Sequence, residues 1–177
     1  YYLQHQKPQH TSIQLYRFLY VKQLQSYVMA KTVPPTHHAA DFGLDVLCGD
    51  DDMFRWFLLC YLFGKPIRSD TAVQTWHLLV GRGFDTPWAI MQASGRTIVR
   101  ILYEGKYTHY AESTARGLHT CMQQLIDGYE GSLVLMLEQS ANEDEFAKHL
   151  RRLHGVGPKV AEIFMRETGE YFARRVE

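Results

Sequence analysis

The sequence predicts an all-α fold, and three observations carry that prediction. Apolar residues recur three and four positions apart along most of the chain, the period of one helix face. Glycines and Ser, Thr or Asp starts punctuate these stretches at helix-length intervals. Alternating runs of β-branched residues, which mark half-buried strands, are few.

The elements follow in chain order. Thr11 or Ser12 can cap a helix with Ile13, Leu15, Tyr16, Leu19, Tyr20 and Leu24 on its apolar side, ending before Val33-Pro34-Pro35. Residues 34–42 read as a linker. Asp50, Asp51 and Asp52 suit a helix N-terminus, where carboxylates meet the positive end of the dipole. Residues 53–63 are nearly all apolar, which puts that helix at the centre of the core, and Gly64 and Pro66 stop it. Ser69 or Asp70 opens the next helix, through Val73, Trp76, Leu78 and Leu79 to Gly81 or Gly83. Thr86-Pro87 is a cap followed by proline at the first helical position, a start signal for residues 88–92. Further helices fit residues 94–103, 108–128, 132–138, 142–153 and 158–168. With no internal repeat or long linker, about eight or nine short-looped helices share one or two lobes.

The 177 residues, 46% of them hydrophobic, suffice for one substantial core, with or without a small second lobe. No window reaches the roughly 18 uncharged apolar residues of a membrane span, and residues 1–10 lack the apolar segment of a secretion signal. The expectation is a soluble intracellular protein of the cytoplasm and nucleoid or the nucleus, without a membrane partner. Cys48, Cys60 and Cys121 form no CxxC pair, so neither a disulfide framework nor a zinc site is indicated, and buried reduced thiols are expected. Nineteen Lys and Arg balance nineteen Asp and Glu, which excludes a protein that coats nucleic acid by bulk charge. Charge placement is more informative: Lys148, Arg151, Arg152, Lys159, Arg166, Arg174 and Arg175 crowd the C-terminal end.

Within that end lies Leu-Arg-Arg-Leu-His-Gly-Val-Gly-Pro-Lys-Val-Ala-Glu-Ile, residues 150–163. An apolar helix end meets a Gly-x-Gly hairpin, and a proline opens a second helix. Gly155 and Gly157 are expected to adopt backbone angles that side chains forbid, so that the main chain approaches a phosphate closely. Val156 can plug the gap between the helices, and Ala161 lets them pack tightly. Pro158 in the first turn loses no hydrogen bond, and the free amides behind it, at the positive end of the helix dipole, suit an anion. A hairpin of this kind is expected to grip phosphates and to read no base sequence, giving affinity and register without specificity.

These residues resemble the helix-hairpin-helix DNA glycosylase superfamily, its endonuclease III branch in particular, where the motif reads Leu-Pro-Gly-Val-Gly-x-Lys-Thr-Ala. Weaker similarities extend upstream. Residues 54–65 look like the buried helix that leads to the loop probing the orphaned base, Thr86-Pro87-Trp88-Ala89-Ile90-Met91 resembles a Thr-Pro-x-Ala-Met stretch, and Gly105-Lys106-Tyr107 with Ala111-Glu112 resembles Gly-Leu-Tyr…Lys-Ala-Glu. The resemblance implies a two-lobed helical glycosylase-like fold. Residues 1–49 would give an N-terminal helix and linker contributing to the second lobe, and residues 50–177 a helical domain with the hairpin at 146–168.

It also implies a function: base-excision repair, in which a damaged or mismatched base is flipped from double-stranded DNA and excised, with or without lyase action at the resulting abasic site. Lys159 falls on the family's Schiff-base lysine, and burial near Arg151 and Arg152 would expose its lone pair for attack on the sugar. The family's catalytic aspartate has no counterpart; Glu177, about eighteen residues beyond Lys159, is the acid at that distance and the final residue given. The expected DNA contacts are Arg152, Leu153, His154, Gly155, Val156 and Gly157, with Lys65 at the probe position and Lys106 at the wedge position. The family's iron-sulfur loop is absent, so no cofactor is expected, apart from room for a monovalent cation at the hairpin carbonyls. The alternative is a non-catalytic module that keeps the fold to bind DNA or another protein.

Other conspicuous residues have structural readings. His37-His38 reads as a surface pair rather than a metal site. His109 and His119 suit solvent or a satisfied hydrogen bond, and Phe54, Trp56, Phe57, Tyr61 and Phe63 are at helical spacing and read as core. Tyr103 and Tyr107, beside Lys106, are candidates for contacting an unstacked base.

Overall fold

The computed structural model describes residues 37–175, so the Thr11/Ser12 helix and Glu177 lie outside the described residues. One compact unit begins at His37. Among the described residues it is all-helical and without strands: α1 (Asp50–Phe63), α2 (Ser69–Gly81), α3 (Pro87–Gln92), α4 (Gly95–Glu104), α5 (Ala111–Tyr129), α6 (Leu133–Gln139), α7 (Glu143–Arg152), α8 (Pro158–Met165) and α9 (Gly169–Arg175), with 3-10 turns at Ala39–Phe42 and Thr108–Tyr110. No described helix is long and apolar enough to cross a membrane.

The local start signals work as the residue types suggest. Thr86, Ser94, Ser132 and Asn142 each accept a hydrogen bond from the backbone N–H three residues on, closing the first turns of α3, α4, α6 and α7. The three aspartates do more than complement the α1 dipole. Asp50 accepts from Ser132 Oγ (2.7 Å) and Val134 N–H (3.0 Å), so its carboxylate also caps α6, and Asp52 accepts from Asp45 N–H (3.0 Å). Arg55 ties the same end to the loop before α3 through two bonds to Asp85, of 3.0 and 2.8 Å.

α1 is the centre of the core. Trp56, Phe57, Leu58, Leu59, Cys60 and Leu62 have no exposed surface, and α2, α6 and α8 all pack on this helix. Ten of its fourteen residues are buried, and at roughly 25 cal/mol per Å2 of apolar surface removed from water that makes it a principal contributor to the core. Phe164 of α8 meets Phe57 edge-on, with ring centroids 5.5 Å apart, which seats the second hairpin helix on the core. Residues 34–42, read as linker, end in a 3-10 turn that packs: Ala39 is buried and Phe42 lies against Trp56 and Trp76.

Two sequence expectations are corrected here. The three thiols are not all buried; Cys48 is exposed because it sits in the turn before α1, whereas burial pushes the Cys121 thiol up to about 12 and raises that of Cys60 as well. His38 is exposed, as a surface pair requires, but His37 is half-buried and stacked on Phe63, with ring centroids 5.5 Å apart.

Candidate nucleic-acid interface

The hairpin forms because α7 and α8 cannot run on into each other. Leu153 caps α7 in extended conformation, and Val156 N–H donates to Leu153 O at 3.1 Å, closing a four-residue turn. Gly155, third in that turn, has φ +80°, the left-handed value a type II turn demands there. A second constraint acts on the same residue: a Cβ at 155 would lie 2.2 Å from the Tyr61 hydroxyl oxygen and 2.7 Å from its ring carbon. Tyr61 of α1 is thus the floor on which the turn rests. Burial raises its phenol far above the ordinary range, so the floor is a neutral hydroxyl, adding no negative charge beneath an anion-binding turn.

Gly157 is different, and the expectation for it is corrected. Its φ is −85°, an angle any residue adopts, and a Cβ there would meet nothing within 4 Å. Nothing inside the described protein requires glycine at 157. What the missing side chain does is leave the N-terminus of α8 open to close approach from outside.

The amides at that opening can be counted individually. His154 N–H is taken by Gln124 Oε1 of α5 at 2.6 Å, and Val156 N–H by the turn itself. The first helical bond of α8 is Ala161 N–H to Gly157 O at 3.1 Å. Pro158 has no N–H, so the amides of Gly155, Gly157, Lys159 and Val160 remain without an acceptor among the described residues, grouped at the positive end of a helix.

The expected site residues divide by burial. Arg152, His154, Gly155 and Lys159 are exposed, and Arg151 stands beside Arg152 at the end of α7. Leu153 and Val156 are each 5% exposed; their side chains belong to the core, and only their backbone faces the turn. Lys159 is not in the buried surroundings that the Schiff-base reading supposes: it stands in solvent on the first turn of α8.

Lys65 and Lys106, far apart in sequence from the hairpin, come to the same end of α1. Gly64 touches α8 closely, since a Cβ there would be 2.6 Å from Val160 Cγ2, and Lys65 follows it, with Nζ 5.9 Å from the centroid of the Tyr110 ring. Tyr107 donates its hydroxyl to Leu62 O at 2.7 Å, which draws the 105–107 turn onto the last turn of α1. Lys106 is exposed in that turn at φ +63°. Tyr107 is therefore a buried strut, 1% exposed, and not a base contact, while Tyr103 is 48% exposed. The hairpin, the Lys65 turn and the Lys106 turn are all anchored on Tyr61, Leu62 and Gly64.

Sequence spacing misses the anchors. Tyr61 reads only as core, Gln124 carries no motif, and Gly105 enters only through the Gly105-Lys106-Tyr107 similarity, although a Cβ at 105 would lie 2.9 Å from the Thr75 backbone. Gly117 of α5 is equally tight, its Cβ position being 2.7 Å from the Tyr61 hydroxyl and 3.4 Å from the His154 ring. The signal that was available is the isolated glycines within apolar helical stretches, which mark close approach. Among the described residues, no group of three or more His, Cys, Asp or Glu is placed to hold a metal ion. No protein-family model matches the chain, and no curated protein matches it.

Proposed function

We propose that this domain binds the sugar-phosphate backbone of double-stranded DNA through the 153–160 hairpin. The observation that carries the reading is Gly157: a glycine with ordinary backbone angles and empty space around its Cβ, set among four amides without acceptors. Close approach by an external anion explains both features together. Arg151, Arg152 and Lys159 surround the opening with cationic side chains that reach neighbouring phosphates.

A second reading, the base-excision glycosylase of the family the hairpin resembles, is favoured by the convergence of Lys65 and Lys106 on the same end of α1. In that family the two corresponding turns flank the nucleotide that leaves the stack. The exposure of Lys159 weighs toward a phosphate contact rather than an imine-forming amine. Glu177, the acid this reading calls for, lies outside the described residues.

One pair of assays tests both. Binding to a short duplex is expected to weaken steeply with salt and to be equal for unrelated sequences, as backbone contact requires. Borohydride trapping on a duplex with an abasic site is expected to give no Lys159-dependent adduct. A covalent adduct lost in Lys159→Ala would establish the lyase reading instead, and absence of duplex binding at low salt would remove both.

A further inference from the structure

Four of the described arginines, Arg55, Arg68, Arg82 and Arg166, are held in ion pairs with carboxylates. Of the others, the five whose side chains are described, Arg96, Arg100, Arg116, Arg151 and Arg152, are exposed and make no ion pair among the described residues, and they fall in two places. Arg151 and Arg152 end α7 at the hairpin, whereas Arg96, Arg100 and Arg116 line an open groove of about 590 Å3 between α4 and α5. In a chain with no net charge, this second concentration of exposed guanidinium groups calls for its own explanation. Among the described residues only Arg100 of the three has a carboxylate near enough to be held below its ordinary range in part by it, Glu104, whose main partner is Arg82.

Helical spacing builds the groove. On α4, Arg96 and Arg100 are four apart, and so are Val99 and Tyr103 in the adjacent row. On α5, Ala115 and His119 form the facing row, with Glu112 and Arg116 outside it. Val99 and Ala115 give a short apolar floor between charged rims, on which three arginines stand against one glutamate. His119 closes one end, its ring nitrogens 3.0 and 2.9 Å from the carbonyl oxygens of Ala115 and Ala93. Tyr103 stands at the other end and is one of two large apolar side chains that the described residues leave exposed.

We propose that this groove binds a short single-stranded segment of nucleic acid, with Arg96, Arg100 and Arg116 on its phosphates and Tyr103 stacked against a base. An aromatic face beside a guanidinium-lined track is the arrangement that holds unpaired strands without reading sequence. An acidic partner helix would need a longer aliphatic stripe than Val99 and Ala115 supply. Tyr103, at the end of the groove, is bound to the Lys106 turn, whose Lys106 N–H donates to Tyr103 O at 3.0 Å, and in this respect the proposal rests on the DNA reading of the hairpin.

The test is fluorescence anisotropy of the full chain with a labelled oligothymidylate of about eight nucleotides, at about 50 mM salt and at a higher salt concentration. Tyr103→Ala is expected to weaken binding roughly 5- to 100-fold and Tyr103→Phe to preserve it, as removal of one stacked base requires. Arg96→Gln with Arg100→Gln is expected to weaken binding about 10-fold or more and to flatten its salt dependence. A probe with abasic positions throughout should bind the parent protein and Tyr103→Ala alike. All these residues are exposed, so thermal unfolding of the variants should match the parent.

Failure of the groove and failure of the hairpin are separable. Single-strand binding that is absent, or untouched by both groove variants, overturns this proposal whatever the duplex result. Displacement of the oligonucleotide by polyglutamate, together with indifference to Tyr103→Ala, overturns it in favour of an acidic polypeptide. Duplex binding lost in Gly157→Asp with single-strand binding kept supports two distinct contacts. Duplex binding absent from the parent protein while single-strand binding persists removes the hairpin reading alone.

Discussion

Gly157→Asp is expected to lower duplex affinity about 100-fold while leaving the protein as stable as before, or slightly more so. Residue 157 is the N-cap of α8, with φ −85° and free space for a side chain. Aspartate is among the best N-cap residues and complements the dipole, so the folded state gains up to about 1 kcal/mol. The same carboxylate occupies the N–H groups of α8 and repels a phosphate. Losing two amide bonds to a charged group, at about 1.5 kcal/mol or more each, corresponds to the stated loss of affinity. Anisotropy at fixed salt and a thermal melt check it; unchanged affinity in a folded variant would mean that no anion approaches residue 157.

Gly155→Ala, two positions away, is expected to act through the opposite property. Its left-handed backbone costs a residue with a Cβ about 1–2 kcal/mol, and overlap with the Tyr61 ring adds about 1–3 kcal/mol. A net loss of about 3 kcal/mol corresponds to a fall in Tm of about 6–12 °C for a domain of this size. Gly155→Asn separates the two causes, because asparagine tolerates a positive φ while keeping the Cβ that meets Tyr61. A destabilisation shared by Ala and Asn assigns the effect to the overlap, and one confined to Ala assigns it to the backbone. An unchanged melting temperature for both would contradict the packing of the turn on α1.

The contrast between these glycines shows what was legible in the chain. Helix identity was legible, because capping by Thr86, Ser94, Ser132 and Asn142 depends on residues a few positions apart. The central place of α1 was legible for the same reason, since residues 53–63 are apolar apart from Arg55. The hairpin was recognisable as a motif, but the separate reasons for its two glycines were not, because one depends on Tyr61, nearly a hundred positions upstream. The role of Tyr107 was misread for a similar cause: its acceptor, Leu62 O, lies on another helix. Helix α9 was missed, since Thr168 and Gly169 look like a helix end and the short stretch after them carries little periodicity.

The convergence on the last turn of α1 was the least accessible feature. Lys65, Lys106 and the hairpin share no local pattern, and Tyr61, Leu62 and Gly64 bring them together by contacts of a hydroxyl, a carbonyl and a missing side chain. Such contacts are specified by tertiary packing and leave only isolated glycines as their trace in sequence.

The central claim, that the hairpin amides meet DNA phosphates, is tested most directly by following backbone amide resonances while a short duplex is added at low salt. The expected result is that the largest shifts fall on Gly155, Gly157, Lys159 and Val160 and are reversed by added salt, with His154 and Val156 moving less because their N–H groups are already bonded. Saturable duplex binding that leaves those four amides unmoved, or no binding at all, would contradict it.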